Sequence, residues 1–259
     1  RHDMAKWTAF PYSDDAYEYD AASLKKRWAR LHRGDTEPFP KRKEVIDAWI
    51  DFHAGRFADA VDKGLAAGSA GHNAANKAAA IYATYLEKSD RNKMAILESV
   101  AERCEALQAE DPRNANAYYL HAYALGRYAQ GLSIVKALAS GIGGKVKDSL
   151  QQAIKLAPAH ADAHIGLATY HAEVIDKVGA TIGGLTYGAK REEGLRLFMK
   201  ALELNPESAI ARIEYANGLV MLEGKKALKQ AEALYAEAAA FDPADAMERL
   251  DVELAKSEI

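Results

Sequence analysis

Three histidines in the segment HADAHIGLATYHAEVIDK have a spacing that could hold a metal ion. On an ideal helix, with about 3.6 residues per turn, His160, His164 and His171 fall within one narrow stripe. Histidines four positions apart can share a zinc ion, and an enzyme built on such an ion is one hypothesis for this chain. No cysteine cluster or second histidine pair accompanies the stripe, so we expect packed or hydrogen-bonded histidines and no metal.

Carboxylates in the same segment could do acid–base chemistry if burial separated their pKa values. Glu173 and Asp176 lie three positions apart, but Lys177 stands four beyond Glu173, so an exposed ion pair with Lys177 is the simpler interpretation. Cys104 is the only cysteine and lies in the helical segment SVAERCEALQ, with no motif around it. No G-x-S-x-G nucleophile motif occurs either, and the sequence predicts a protein that is not an enzyme.

A tyrosine-rich segment, NANAYYLHAYALGRYAQ, has the composition of a binding surface. It contains four tyrosines and one arginine: Tyr118, Tyr119, Tyr123, Tyr128 and Arg127. Tyrosine and arginine anchor interfaces, because each offers a large contact area together with a polar group. The alternative is that about half of these tyrosines fill space between helices.

Two glycine-rich segments, ALASGIGGKVK (137–147) and VGATIGGLTYGAK (178–190), raise the question of a phosphate-binding loop. The P-loop pattern fails, because Ala139 stands where its first glycine belongs and Val146 where its serine or threonine belongs. Val146 also breaks the dinucleotide-binding pattern, so we expect no nucleotide cofactor. We predict instead inserted connections between helices. Their apolar side chains would pack together, cover one end of the fold, or line a pocket, a subunit contact or a membrane-touching patch.

The elements that must position these residues follow from a repeated pattern. An alanine, an apolar residue three positions later and a proline at the fifth position recur as three sets: Ala153, Leu156 and Pro158; Ala201, Leu204 and Pro206; Ala238, Phe241 and Pro243. Proline cannot continue a helix, because it lacks an N–H group and its ring clashes with the preceding turn. The polar residues that could cap the next helix are Asn114, Asp162, Ser208 and Asp245. The repeat therefore predicts helix hairpins stacked in a solenoid.

The second helix of each hairpin resembles that of tetratricopeptide (TPR) repeats, in which small, aromatic and small residues precede a closing proline. The matching residues here are Gly194, Phe198, Ala201 and Pro206, then Ala231, Tyr235, Ala238 and Pro243, and more loosely Val146, Leu150, Ala153 and Pro158. Gly55 in GRFADA resembles the tight turn inside such a hairpin. A weaker copy of the pattern ends at Pro112, so the closing prolines Pro112, Pro158, Pro206 and Pro243 lie 46, 48 and 37 residues apart, where TPR repeats have about 34. The resemblance spans 41–245.

This resemblance implies an all-α fold, a right-handed superhelical solenoid of antiparallel helix hairpins. We expect an N-terminal helical cap and linker over 1–40 and a C-terminal capping helix over 245–259. The apolar residues expected to close the N-terminal end are Leu24, Trp28 and Leu31. The TPR-like repeats between the caps fill 41–244, at about 41–72, 73–112, 113–158, 159–206 and 207–243.

In TPR proteins the first helix of each hairpin lines a concave groove that holds a peptide or a partner protein. On that pattern the residues predicted to face the groove are Asn116, Tyr119, Tyr123, Arg127, Thr169, Glu173, Ile213 and Asn217. The resemblance thus implies a non-catalytic scaffold for a protein or peptide partner. Some TPR domains hold a terminal carboxylate with a Lys/Asn clamp, of which only Asn217 is matched, so binding of chaperone tails is not supported.

An alternative function is a small-ligand carrier or transporter-accessory protein, with a pocket beneath 137–147 and 178–190. That version is similar in outline to the TPR-like T components that accompany TRAP transporters, although the chain shows no lipid-attachment cysteine. The apolar insertions could also support a homo-oligomer.

Composition narrows the classes of partner and compartment. The 259 residues carry a net charge of −3 and the basic runs at 24–30 and 40–44 are short, so we expect solvated helix faces and no nucleic acid. One cysteine allows no internal disulfide, and no apolar run reaches the roughly 20 residues that span a bilayer. The N-terminus shows no signal core, which favours the cytoplasm, while a signal peptide already removed would allow the periplasm.

Overall fold

The computed structural model describes residues 7–259, and the N-terminal residues 1–6, which bear on the signal-peptide prediction, lie outside it. This part of the chain contains thirteen α-helices and no β-strand, so the predicted all-α class is confirmed. None of these helices has both the length and the apolar character that crossing a bilayer requires. The helices are α1 Ala21–Leu31, α2 Lys43–Ala54, α3 Phe57–Ala66, α4 His72–Tyr85, α5 Asp90–Glu110, α6 Ala115–Leu132, α7 Ile134–Ala139, α8 Ile142–Leu156, α9 Ala161–Tyr187, α10 Arg191–Leu204, α11 Ala209–Glu223, α12 Leu228–Ala239 and α13 Ala246–Ser257.

Polar side chains begin the helices that follow the proline corners. Asn114, Ser208 and Asp245 each accept a hydrogen bond from the backbone N–H three residues later, in the first turns of α6, α11 and α13. The prediction that Asp162 caps α9 is wrong. His160 is the N-cap, because its Nδ1 accepts the N–H three residues later at 3.0 Å, and Asp162 is left without a capping role.

Consecutive helices pair as hairpins that pack side by side along the chain. α2 pairs with α3, α4 with α5, α6 with α8, α9 with α10 and α11 with α12. First helices of neighbouring hairpins also touch, α4 with α6 and α9 with α11, which is the arrangement of a solenoid. The helices approach closely at small residues: a Cβ atom built at Gly218 of α11 would lie 2.5 Å from the ring of Phe198 in α10.

Both glycine-rich segments are mostly helical, so the prediction of inserted connections is wrong. Ile134–Ala139 forms α7, and α8 begins directly after a turn at Gly141, where φ is +85°. The second segment continues α9 beyond a kink at Gly179, where φ is +82°, as far as Tyr187. Glycine adopts these left-handed conformations without strain, which lets the chain change direction sharply and resume a helix.

The two glycine-rich segments pack together, as their apolar composition predicts. Leu138 and Val146 from the first segment and Val178 and Tyr187 from the second belong to one apolar cluster. The Lys147 ammonium also donates a hydrogen bond to the carbonyl oxygen of Tyr187 at 3.3 Å. The short helix α7 therefore lies fixed against α8 and α9.

The last helix brings the end of the chain back to its beginning. α13 packs against α11 and α12 of the last hairpin and also against α2 of the first. Because α2 and α11 are the first helices of their hairpins, α13 bridges the concave side of the solenoid. Its Ala246 and Leu250 belong to the same apolar cluster as Phe52 of α2, Ala80 of α4 and Leu120 of α6. The repeat pattern gives no sign of this closure.

The segment after α1 closes the concave side from the opposite end. The carbonyl oxygen of Gly34 accepts the backbone N–H of Asp162 in α9 at 3.0 Å. Arg30 forms ion pairs with Glu207, ahead of α11, and with Glu248 in α13. The apolar residues predicted to anchor α1 are all buried: Leu24, Trp28 and Leu31.

Replacing Gly55 by alanine should destabilise the protein more than the same change at Gly68. Gly55 forms the predicted tight turn after α2 with φ +89°, and a Cβ atom there would lie 2.4 Å from the ring of Phe10. Gly68 has φ +75°, and a Cβ atom there would meet nothing within 4 Å. Its replacement by alanine therefore measures the cost of the backbone conformation alone. We expect urea denaturation to give losses of about 1–2 kcal/mol for Gly68→Ala and about 2–5 kcal/mol for Gly55→Ala. Equal losses would contradict a rigid contact with Phe10.

Candidate functional site

Four buried polar residues join the two ends of the chain, and we call them the histidine clasp: His32, Asp35, His53 and Asp245. The two imidazoles face each other with their Nε2 atoms 3.0 Å apart. On the outer sides, His32 Nδ1 lies 2.9 Å from Asp35 Oδ1, and His53 Nδ1 lies 2.7 Å from Asp245 Oδ2. None of the four residues is more than 3% exposed, so the clasp is shielded from water.

Hydrogen-bond geometry fixes the number of protons in the clasp. Each Nδ1 atom carries a proton, because each faces a carboxylate that only accepts. One further proton lies between the two Nε2 atoms, since two bare lone pairs at 3.0 Å would repel each other. Burial lowers the pKa of His32 to about 4, because a charged imidazole is costly away from water. The histidine pair therefore carries a single positive charge.

Lys77 completes the charge balance of the clasp. Its Nζ donates a hydrogen bond to Asp35 Oδ2 at 2.6 Å. Burial alone would raise the pKa of Asp35, but Lys77 and His32 hold it well below its usual range. Two positive charges thus offset the carboxylates of Asp35 and Asp245. Such pairing is what a buried charge needs, because a single unpaired ion in the interior is strongly destabilising.

The backbone is strained where it supplies the clasp. Thr36 has φ +52°, a left-handed conformation that a β-branched residue seldom adopts. With this turn, Asp35 enters the clasp while the adjacent Glu37 accepts hydrogen bonds from the amides of Asn73 and Asn116, at 3.0 and 2.6 Å. Strain of this kind persists only where the surrounding contacts hold it in place.

Beside the region that α13 covers, the concave side holds a half-open space of about 130 Å³ between α6, α7, α8, α9 and α11, which we call the inner cavity. Its apolar wall includes Ile134, Leu138, Val146, Leu150, Ile165 and Val174. Its polar wall includes Tyr119, Tyr123, Arg127, Asp162, Glu173 and Glu214. The first glycine-rich segment contributes through α7 and the start of α8, whereas the residues described in the second segment lie elsewhere.

Hydrogen bonds hold much of the polar wall in place. The Arg127 guanidinium lies 3.5 Å from Glu214 Oε1 and donates to Gln130 at 3.1 Å. Its central carbon stands 5.2 Å from the ring centre of Tyr123. Gln130 is exposed at the rim and donates to Glu173 at 2.8 Å. The wall is therefore organised before any ligand enters, which lowers the entropy cost of binding.

Two polar groups on that wall stand apart from this network. The Asp162 carboxylate makes no hydrogen bond or ion pair with any residue in the described part of the chain, and burial raises its pKa to about 6. The buried hydroxyl of Tyr123 makes no hydrogen bond of normal geometry to those residues, although Arg127 and Thr84 lie close to it. Both residues also border a second chamber of about 70 Å³ towards α1 and α13. A buried polar group without a partner, such as the Tyr123 hydroxyl, costs stability unless something else supplies the bond, whereas Asp162 is only partly buried.

The structure brings five of the eight predicted groove residues together around the inner cavity: Tyr119, Tyr123, Arg127, Thr169 and Glu173. The other three lie elsewhere. Asn116 is buried beside the clasp, where it donates to Glu37. Ile213 packs against α13, and Asn217 accepts a hydrogen bond from the hydroxyl of Tyr235. The concave side is thus divided into a cavity and a contact with the C-terminal helix, where the repeat pattern alone predicts one groove.

The three histidines of α9 do not meet at a metal site. His160 Nε2 pairs with Asn116 Oδ1 at 2.7 Å while its Nδ1 caps the helix. His164 Nδ1 bonds to the carbonyl oxygen of His160 at 2.8 Å, and His171 Nδ1 accepts the N–H of Lys190 at 2.9 Å. Within residues 7–259, no group of three or more His, Cys, Asp or Glu side chains could hold a metal ion. Hydrogen bonding within the protein accounts for all three rings.

The acidic residues of α9 and the cysteine also have structural contacts. The predicted ion pair between Glu173 and Lys177 is wrong, because Glu173 points inward to Gln130 while Lys177 Nζ lies 3.5 Å from Asp176. Cys104 is buried in α5, and burial raises the pKa of its thiol to about 12. A thiol that stays protonated is a poor nucleophile.

Sequence patterns give almost no sign of the clasp. His32 and Asp35 stand three positions apart, a spacing that indicates at most a local contact. His53 and Asp245 are separated by 192 positions, and Asp245 is recognisable only as the helix cap that it also is. Histidine and aspartate are both common near helix ends, so their presence there does not mark the clasp. Only the folded chain shows that these four residues meet.

Comparison with solved structures identifies the fold. The crystal structure of a thermophilic TPR protein from Thermus thermophilus matches with a TM-score of 0.58 at 16% sequence identity, covering 83% of this chain and 97% of that one. No protein-family model matches the chain, and no curated protein sequence matches it. The structural likeness confirms the TPR-like solenoid expected from the repeats, and at this identity it shows the fold alone.

Removing the imidazole of His53 should destabilise the closed structure strongly. His53→Ala leaves the Asp245 carboxylate buried without a positive partner and His32 Nε2 without a donor, which costs about 3–5 kcal/mol. His72→Ala is the matched control, because His72 is a partly buried histidine outside the clasp, and it should cost less than about 1 kcal/mol. Urea denaturation measures both. A loss for His53→Ala no larger than for His72→Ala would contradict the charge balance of the clasp.

Asp251, which borders the second chamber, gives a pH dependence of definite sign. Burial raises its pKa to about 8, and its carboxyl group is hydrogen-bonded to the Tyr85 hydroxyl. In the unfolded chain this carboxyl titrates near 3.9, so its contribution to stability is complete below about pH 4 and is lost as the pH rises through about 8.

Asp251→Asn cannot ionise, so the variant should escape this loss. Urea denaturation from pH 4 to pH 8 should show its free energy of unfolding rising relative to that of the wild type, by about 2–5 kcal/mol over the range. A difference that stays constant with pH would contradict the raised pKa of Asp251.

Proposed function

We propose that the protein binds a small amphipathic molecule in the inner cavity, which is the carrier function considered as an alternative from the sequence. The observation that carries this proposal is a half-open cavity on the concave side of the solenoid, beside the region that α13 and the clasp close. An apolar wall facing a few fixed polar groups is typical of small-ligand sites, because burial supplies affinity and the polar groups supply orientation.

The size of the inner cavity favours a small molecule. Its volume of about 130 Å³ has room for roughly ten water-sized groups. A short alkyl chain or a single ring with one polar end fits that space. Val146 and Leu150 of α8 and Ile165 and Val174 of α9 offer the apolar end its contacts.

An extended peptide on the concave side would have to displace α13. That displacement would expose Ile213, Val252 and Ala255, which are buried together between α11 and α13. It would also break the ion pair of Arg30 with Glu248 and pull Asp245 out of the clasp. Binding a peptide there must therefore work against the contacts that close the molecule, and we do not propose it.

The polar wall supports binding without catalysis. Its one guanidinium among the described lining residues, that of Arg127, is engaged with Glu214 and Gln130. The described lining residues include no serine, cysteine or histidine, and the hydroxyl of Thr169 is engaged as a donor to Glu214 at 3.3 Å. The polar groups can orient a ligand, and nothing in their arrangement favours a bond-making step.

A protein partner on the outer surface is a second candidate function. Large apolar side chains in and beside α7 and in the second glycine-rich segment are strongly exposed: Leu132, Val135, Ile182 and Leu185. Leu185 is 86% exposed, so its side chain buries almost no apolar surface within the folded chain. Exposed apolar groups of this kind mark contacts with another chain, and the homo-oligomer expected from the sequence would use the same side chains.

Filling the inner cavity should abolish ligand binding without unfolding the protein. Gly126 lies within α6 on the cavity wall, and a Cβ atom there would meet nothing within 4 Å. Gly126→Leu therefore occupies the cavity, and it should raise helix stability by about 1 kcal/mol because glycine is a poor helix former. Gly144→Leu is the matched control, since Gly144 lies in α8 with open space around it and outside the cavity.

Saturation-transfer NMR with hexan-1-ol as the probe measures the effect. Wild type and Gly144→Leu should both bind the alcohol, and Gly126→Leu should not. Binding by Gly126→Leu as strong as by wild type, or no binding by any of the three proteins, would contradict the proposed function.

A further inference from the structure

We propose that the polar end of the ligand is a protonated amine, held at the wall between the inner cavity and the second chamber by Asp162 and the Tyr123 hydroxyl. This inference rests on the proposed function, because it names the chemical class of ligand for the same cavity. It concerns the charge of the ligand, which neither the fold nor the repeat pattern indicates.

The charges around the inner cavity do not balance. Among its described lining residues, the carboxylates of Asp162, Glu173 and Glu214 face the single guanidinium of Arg127. Lys77 borders only the second chamber, and its ammonium is already paired with the clasp at 2.6 Å. The carboxylates of this wall outnumber its guanidinium, and the charge of Lys77 offsets the burial of Asp162 only in part, so a ligand cation is favoured there.

The three carboxylates differ in the number of hydrogen bonds and ion pairs that they receive from the protein. Glu214 is held by Arg127 at 3.5 Å and by the Thr169 hydroxyl at 3.3 Å. Glu173 accepts one hydrogen bond, from the neutral amide of Gln130. Asp162 accepts none from the residues that the structure describes. Asp162 is thus the carboxylate that accepts the fewest hydrogen bonds, so the amine of the ligand is placed next to it.

The position of Asp162 makes an incoming donor valuable. The carboxylate packs against Gly34, where an added Cβ atom would lie 2.7 Å from its oxygen, so its own position is tightly confined. Burial raises the pKa of Asp162 to about 6 and also raises that of Glu173. A nearby cation would relieve that penalty in both carboxylates.

Tyr123 supplies the second contact of the amine. Its hydroxyl is buried and makes no hydrogen bond of normal geometry within the described chain, although Arg127 and Thr84 lie close to it, and Tyr123 borders both chambers as Asp162 does. An ammonium group has three N–H donors, enough for the carboxylate, the hydroxyl oxygen and one water molecule. Arg127 covers the ring face of Tyr123, so the amine approaches from the side of Asp162 and not from that of the guanidinium.

Three probes of equal length and different charge test this assignment: hexan-1-amine, hexan-1-ol and hexanoate. At pH 7.5 the amine is protonated, as a lysine side chain is, and hexanoate is ionised. Calorimetric titration of the wild type should give an affinity for the amine roughly tenfold or more above that for the alcohol, with hexanoate the weakest, because charge-assisted hydrogen bonds are the stronger ones.

Asp162→Asn should reduce the amine's advantage over the alcohol to about threefold or less, while the affinity for hexan-1-ol stays unchanged. Glu173→Gln, on the same wall, should reduce the advantage by a smaller factor and provides a test if Asp162→Asn does not fold. Glu193→Gln is the matched control, since Glu193 pairs with Arg196 on the outer surface, and it should retain the full advantage.

The outcomes separate this inference from the proposed function. Equal affinity of the wild type for amine and alcohol, or an amine advantage that survives both Asp162→Asn and Glu173→Gln, would overturn the inference while the proposed function stands. Failure of all three probes to bind the wild type would overturn the proposed function itself.

Discussion

The hydrogen-bonded chain from Asp35 through His32 and His53 to Asp245 is the interaction on which the shape of this molecule depends. In a repeat array each hairpin touches its neighbours, and nothing in that pattern brings the two ends together. Here two buried pairs from opposite ends meet: His32 and Asp35 after α1, and His53 of α2 with Asp245 before α13. Once these groups meet, α13 lies across part of the concave side, and the inner cavity lies in the part that stays half open.

Such a clasp favours one closed arrangement of the chain more than it adds to the free energy of unfolding. Taking ions out of water is costly, and a buried ion network offsets that cost only when every member is paired. The positive φ of Thr36 adds strain at the same place. A partly opened molecule would keep the desolvation cost and lose the pairing, so closure is close to all-or-none. The cavity wall, built on α6 and α9, is held rigid by the same contacts that join the ends.

The sequence predicts the hairpins well and their closure not at all. Helix ends at Pro158 and Pro206, and caps such as Ser208, depend on neighbours within a few positions, so local patterns reveal them. The clustering of Tyr119, Tyr123 and Arg127 on one wall likewise follows from helix periodicity. Ile213 meets α13 instead of a groove because a distant helix folds back over it. The sequence predicts the glycine-rich segments as inserted connections, whereas they are mostly helical. The turn at Gly141 and the kink at Gly179 each need one glycine with positive φ, and a helix resumes directly after it.

Native mass spectrometry of the protein purified gently from its own host tests most directly whether the closed concave side is a ligand site. Wild type and Gly126→Leu would be compared side by side. The account predicts that the wild type carries one bound molecule, small enough for the inner cavity, and that Gly126→Leu lacks it. A co-purifying polypeptide retained by both proteins, with no small molecule on either, would contradict it.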